Sequence, residues 1–123
     1  MAGREAEFFD QIGRLGHTPW LAKIDGSIRF DVTEHQDIRH WLLTIRAGFV
    51  AVTREYRPAD TVVESDSDTL DRLLAGRLRL LPAWLRNEIA VEGRPMLVLV
   101  LERLVPRSPQ LDRPLRGVAG RAQ

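Results

Sequence analysis

Apolar residues recur along this chain at two different periods. Phe8, Ile12 and Leu15 fall at i, i+4 and i+7 with Phe9 beside them, the stripe of an amphipathic helix. Gly13 weakens that helix, Gly16 is placed to end it, and Pro19 blocks its continuation. From residue 28 the period changes to two. Ile28, Phe30 and Val32 alternate with Arg29, Asp31 and Thr33, and Trp41, Leu43 and Ile45 repeat the alternation with Leu42 and Thr44 opposite. Arg46-Ala47-Gly48 supplies a turn into a third strand, Phe49 to Thr53, with Val50 and Val52 inward. The short connections predict three consecutive antiparallel strands with one apolar face.

A turn at Arg57-Pro58-Ala59-Asp60 leads to a fourth strand over about Thr61 to Glu64. Ser65, three residues before Asp68, has the spacing of a helix cap. Leu70, Leu73 and Leu74 then give a helical face that Gly76 stops. Leu81, Trp84 and Leu85, with Pro82 in an allowed first-turn position, predict a second short helix. Ile89 and Val91 mark a fifth strand ending at Gly93. The apolar run from Met96 to Leu101 fits a buried strand, but Met96, Leu97, Val100, Leu101 and Leu104 also share one helical face, and Pro95 suits a first turn. Helix is preferred. The order predicts an α+β domain over residues 1–105: a five-stranded, mostly antiparallel sheet with helices packed on one face.

Composition narrows the chemistry. With 123 residues one domain is expected, and the absence of cysteine removes disulfides, thiolate catalysis and cysteine-bound metals. The net charge of +1 is unevenly spread. Arg107, Arg113, Arg116 and Arg121 against Asp112 give residues 106–123 a charge of +3, leaving −2 on the rest. Those last residues, with three prolines and two glycines, read as a flexible Pro/Arg-rich tail. A mildly acidic body argues against a nucleic-acid partner. The longest uncharged apolar run, Pro95 to Leu101, is far short of the ~20 residues a membrane span needs. No stable membrane insertion is expected, and the start of the chain has no signal-peptide core, so the cytoplasm is the expected location.

Chemistry-bearing constellations are sparse. His17, His35 and His40 lack a two-ligand helical spacing and read as solvated loop residues. The acidic stretch Glu64-Ser65-Asp66-Ser67-Asp68 lacks the glycine and the third ligand of a calcium loop. Neither a nucleophile elbow nor a glycine-rich phosphate loop occurs, and no metal or cofactor is expected. Apolar side chains are abundant instead: Trp20, Trp41, Trp84, four phenylalanines and a leucine-rich second half. They serve equally for a solid core or for the walls of a cavity between sheet and helices.

The order of four stretches resembles the sterol carrier proteins and their bacterial relatives. Gly26-Ser27-Ile28-Arg29-Phe30-Asp31-Val32 is similar to that family's first strand, and Trp41-Leu42-Leu43-Thr44-Ile45-Arg46-Ala47-Gly48 to its second strand and turn. Residues 58–65 and 70–77 resemble its fourth strand and following helix; Ile89-Ala90-Val91-Glu92-Gly93 and the leucines to Leu104 resemble its last strand and closing helix. Asn87-Glu88 stand where the family often has Gly, and Arg94 where it often has an acidic or amide residue. The resemblance implies a tunnel between sheet and helices that binds sterols, fatty acids or other acyl chains without catalysis. It also favours a helix for 96–104.

The expected lining is Phe30, Trp41 and Leu43 from the sheet, Leu70, Leu74, Leu81, Trp84 and Leu85 from the middle helices, and Met96 and Val100 from the last. The partner is then a hydrophobic small molecule, each buried methylene contributing ~0.8 kcal/mol before ordering costs. Two other readings stand beside it. One is an interaction module without a lipid, for instance a homodimer. The other is a small cone-shaped α+β enzyme using Asp60 or His40 as base, which predicts a strand at Met96 to Leu101.

Overall fold

The computed structural model describes residues 3–104; the Pro/Arg-rich segment 106–123 lies outside the described residues. The order is α1 (Gly3–Gly13), a 3₁₀ turn (Pro19–Leu21), β1 (Gly26–Glu34), β2 (Asp37–Arg46), β3 (Phe49–Thr53), β4 (Thr61–Asp66), α2 (Ser67–Leu74), α3 (Leu80–Leu85), β5 (Ala90–Gly93) and α4 (Pro95–Leu104). The five strands lie in the order β3-β2-β1-β4-β5. All neighbours are antiparallel except β1 and β4, which run parallel with Ile28 opposite Thr61.

That one parallel pair follows from the crossover between β3 and β4. Residues 54–60 must cross β2 and β1 to reach the far side of the sheet. Three strand spacings are about 14 Å, well within the reach of seven extended residues. The segment runs over the sheet face that the helices leave open. The Arg57 carbonyl accepts a hydrogen bond from Nη1 of Arg29 at 2.8 Å. The Arg29 guanidinium lies 4.3 Å from the centre of the Tyr56 ring, and the His40 ring is 4.6 Å from it.

The opposite face is the apolar one. Ile28, Phe30 and Val32 of β1, Trp41, Leu43 and Ile45 of β2, Val50 of β3 and Val63 of β4 are buried, the period-two pattern realised as one side of a pleated sheet. Against them pack Phe8, Phe9 and Ile12 of α1, Leu70, Leu73 and Leu74 of α2, Leu80 and Ala83 of α3, and Leu97, Val98, Val100 and Leu101 of α4. Met96 to Leu101 is helical, as the shared face of Leu97, Val100 and Leu101 requires.

Several local expectations are corrected. α1 ends at Gly13, so Leu15 falls outside it in a 3₁₀-type turn and is exposed. Asp66, not Ser65, caps α2: its carboxylate accepts from the Thr69 N–H at 2.7 Å, while Ser65 still belongs to β4 and its hydroxyl donates to the Asp66 carbonyl. α3 is rotated from its expected face. With Arg79 as N-cap, Leu80 and Ala83 point inward, Leu81 and Trp84 are half-buried, and Leu85 is exposed. A six-residue helix has too few turns for periodicity to fix its face. His40 is a strand residue hydrogen-bonded to Asp31 rather than a solvated loop histidine.

Two polar anchors hold the layers together. Glu5 is buried on α1 and accepts hydrogen bonds from Arg39 (2.8 and 3.0 Å) and from the Trp41 indole N–H. Arg39 also donates to Glu34, and the paired carboxylates hold its guanidinium above its ordinary value. At the other end Asp60 and Ser27 bond reciprocally, backbone to side chain, at 2.9 and 3.0 Å. The Asp60 carbonyl accepts from the Arg94 N–H, and Arg94 reaches back to the Asp25 carbonyl. Gly93, with φ of 109°, presses so closely that a Cβ there would sit 2.0 Å from the Asp60 carbonyl oxygen.

Glu5→Ala removes one of the two carboxylates that pair Arg39 and leaves the Trp41 N–H without its partner, and is expected to cost about 1–3 kcal/mol of stability. Gly93→Ala forces the backbone to move and is expected to cost about 3 kcal/mol or more. Urea midpoints of the two variants check both; unchanged midpoints would contradict these roles.

Candidate functional site

Among the described residues, two clefts open from the apolar layer to solvent, both walled by α1. The larger, about 600 Å³, lies between α1 and the β2–β3 edge and is lined by Ala6, Glu7, Phe9, Asp10, Gly13, Arg14, Trp41 and Val52. Its floor is the stacked pair Phe9 and Trp41, with ring centres 4.4 Å apart, and Arg54 lies 4.6 Å above the Trp41 ring. Its rim carries Glu7 and Asp10, and Arg14 is taken up by Asp10 at 3.1 Å.

The second cleft, about 270 Å³, lies between α1, the 3₁₀ turn and the end of α4. Phe8, Gln11, Ile12, Leu15, Thr18, Trp20, Arg103 and Leu104 line it. Phe8 and Ile12 belong to the central core cluster, and Trp20 and Leu104 pack against that cluster from outside. The cleft is therefore a breach in the core's edge rather than a groove on a polar surface. The Arg103 guanidinium stands 4.0 Å from the Trp20 ring centre. A third concavity, about 440 Å³, is polar. Glu34, His35, Asp66, Asp68 and Arg72 are among its lining residues at the start of α2.

Of the ten residues expected to line a hollow, Phe30, Leu43, Leu70, Leu74 and Val100 meet in the buried cluster between sheet and helices. Trp41 joins that cluster and also lines the larger cleft. Leu81 and Trp84 are half-buried on α3. Leu85 and Met96 lie at the surface, 76% and 60% exposed. The smaller cleft contains none of the ten. Trp20 and Arg103 escaped the reading because their pairing joins a turn to a helix end, beyond any periodicity. Glu5 left a signal: with Phe8, Phe9 and Ile12 it completes an i, i+3, i+4, i+7 set, so it stands on the buried stripe.

The possible general bases sit elsewhere. Asp60 is bound to Ser27 at the sheet end. His40 lies on the open face, its Nδ1 2.7 Å from Oδ1 of Asp31, which also accepts from Arg29 at 2.9 Å. Burial pushes the Asp31 carboxyl up, but the hydrogen bonds from Arg29 and His40 outweigh it and hold the group below its ordinary value of 3.8. Among the described residues no group of acidic, histidine or cysteine side chains has a metal-holding arrangement. Among them, too, no helix is long and apolar enough to cross a membrane.

The two departures from the family pattern have local explanations. Asn87 takes a left-handed conformation, φ 64°, at a position where glycine is common. Arg94 uses its length to tie the β5–α4 turn to the start of β1.

A helix-covered five-stranded sheet in this order defines the sterol-carrier class of α+β fold. Residues 9–106 match the model of the SCP-2 sterol transfer family, and the chain belongs to that family. Among solved structures it is similar to sterol carrier protein domain 2 of Helicoverpa armigera, at 18% identity and a TM-score of 0.68, covering 83% of this chain and 87% of that one. It is similar to palmitated sterol carrier protein 2-like 2 of Aedes aegypti, at 13% identity and a TM-score of 0.65, covering 85% and 93%. It also resembles part of an inverting sec-alkylsulfatase from Pseudomonas sp., at 22% identity and a TM-score of 0.64, where 82% of this chain corresponds to only 16% of the enzyme. At these identities the likeness concerns the fold. No curated protein matches the sequence.

The contribution of Asp31 to stability is complete above pH 3.8 and is lost as the pH falls through its lower folded-state value. Asp31→Asn is therefore expected to lower stability by about 1–2 kcal/mol at pH 7. The gap should narrow toward pH 3. Urea midpoints at the two pH values test this; a gap that is constant or wider in acid would contradict it.

Proposed function

We propose that this chain is a non-catalytic carrier that binds a hydrophobic ligand, a sterol, fatty acid or other acyl chain, between its helical layer and its sheet. The observation that carries this reading is the sterol-transfer family match over residues 9–106. The structure gives it a physical form. The apolar face of the sheet and the four helices form one cluster, and the cleft beside Phe8 and Ile12 opens directly onto that cluster's edge. A ligand chain entering there would exchange water for contacts with Phe8, Ile12, Trp20 and Leu104. The cleft volume lies just under the range of about 300–1,000 Å³ usual for ligand pockets. Loading a full chain therefore asks α1 and α4 to part and the core between Phe30, Leu43, Leu70, Leu74 and Val100 to repack around it.

Support for a non-catalytic role comes from where the two possible bases lie. His40 is on the face away from the apolar layer, and Asp60 is engaged by Ser27 and by the turn holding Arg94. The helical form of residues 95–104 also removes the closing strand that the enzyme reading requires. The cytoplasm remains the proposed location.

Delipidated full chain titrated with a fluorescent fatty acid is expected to show saturable micromolar binding. Ligand at one hundred times its Kd should add about 2.7 kcal/mol of stability, raising Tm by about 10 °C. No saturation at micromolar protein, with no rise in Tm, would contradict the reading.

A further inference from the structure

We propose that the cleft between α1, the 3₁₀ turn and α4 holds the head-group end of a single-chain anionic amphiphile, with Arg103 as the residue that binds the head. This rests on the lipid-binding reading above and narrows it.

Three concavities can be compared. The groove beside Trp41 carries Glu7 and Asp10; Arg14 is paired with Asp10, and Arg54 lies over the Trp41 ring. The polar hollow at the start of α2 carries Glu34, Asp66 and Asp68. Both set carboxylates beside any bound anion, alongside Arg14 and Arg54 in the groove and Arg72 in the hollow. Among the described residues the α1–α4 cleft has no carboxylate in its lining, and Arg103 is the only charged residue there. Among the described residues Arg103 makes no ion pair. Its guanidinium lies over the face of Trp20, 4.0 Å from the ring centre.

That contact prepares the site. A guanidinium lying on an indole is held by the ring's quadrupole, while its edge N–H groups remain free to donate to two oxygens at once. Gln11 and Thr18 add neutral polar groups beside it, and Phe8, Ile12 and Leu104 continue the walls toward the core. Charge at the mouth and apolar surface inward is the complement of an acyl chain ending in a carboxylate or phosphate. The cleft's small volume suits one narrow chain rather than a rigid ring system.

The test uses the full chain, delipidated. A bound fluorescent acyl probe is displaced with dodecanoate, dodecyl phosphate or dodecanol at low and high salt. The charged ligands are expected to bind about fivefold more tightly than the alcohol, the scale of one solvent-accessible ion pair. That preference should shrink at high salt. Whichever of carboxylate and phosphate binds better identifies the head group. Arg103→Gln is expected to erase the preference, weakening the charged ligands about fivefold more than dodecanol, and Arg103→Lys to retain part of it. Equal binding of charged and neutral ligands by the native chain, or a preference surviving in R103Q, would overturn the assignment while leaving lipid binding in place. Failure of all three ligands to displace the probe would remove the lipid reading itself, and this assignment with it.

Discussion

The attachment of α1 to the sheet organises everything else. Phe9 stacks on Trp41 while Glu5, one turn earlier, accepts hydrogen bonds from the same indole and from Arg39. Apolar contact and a buried charge-assisted bond thus act on the same pair of elements. The stacking supplies area, and the bonds supply direction, because a buried carboxylate tolerates few geometries that leave all its partners satisfied. Fixed in this way, α1 presents one flank to β3 and the other, through Phe8 and Ile12, to the end of α4. One cleft lies on each flank, against the β2–β3 edge and against the 3₁₀ turn and α4.

The two sheet faces divide the work. The inner face is occupied by helices and carries the apolar cluster. The outer face is crossed by residues 54–60, and the sequence there uses Arg29, Asp31, His40 and Tyr56 to hold the crossing strap. A solvent-facing sheet is ordinary for antiparallel architectures. Here it also lets β4 reach the far side of β1, which creates the parallel pair and brings α2, α3 and α4 over the same face as α1. The strap is thus the topological reason the helices form one layer.

Much of this is legible in the amino-acid sequence. Period-two runs such as Ile28, Phe30, Val32 located the strands because alternation is strict when one face is buried. The order of elements and the family resemblance followed from spacing along the chain. What escaped has a common cause: it depends on contacts between distant segments. The parallel pairing of β1 and β4 requires knowing the route of 54–60. The face of α3 was misjudged because six residues fit two rotations, and Leu80 with Ala83 wins by packing rather than by pattern. Leu85 and Met96, offered as lining, lie at helix positions the core does not reach. The clefts were invisible for the same reason, since apolar periodicity is identical for a filled interior and for one with an opening at its edge.

The decisive question is where an oily ligand enters this apolar layer. Protein carrying labelled methyl groups, titrated with dodecanoate and followed by NMR, answers it directly. The expected result is that the largest shift changes fall on Ile12, Leu15, Leu104 and the Trp20 indole, then extend to Val100 and Leu101 as α1 and α4 part. Changes at saturation that are confined to Val52 and the Trp41 groove, or the absence of any change, would contradict the account.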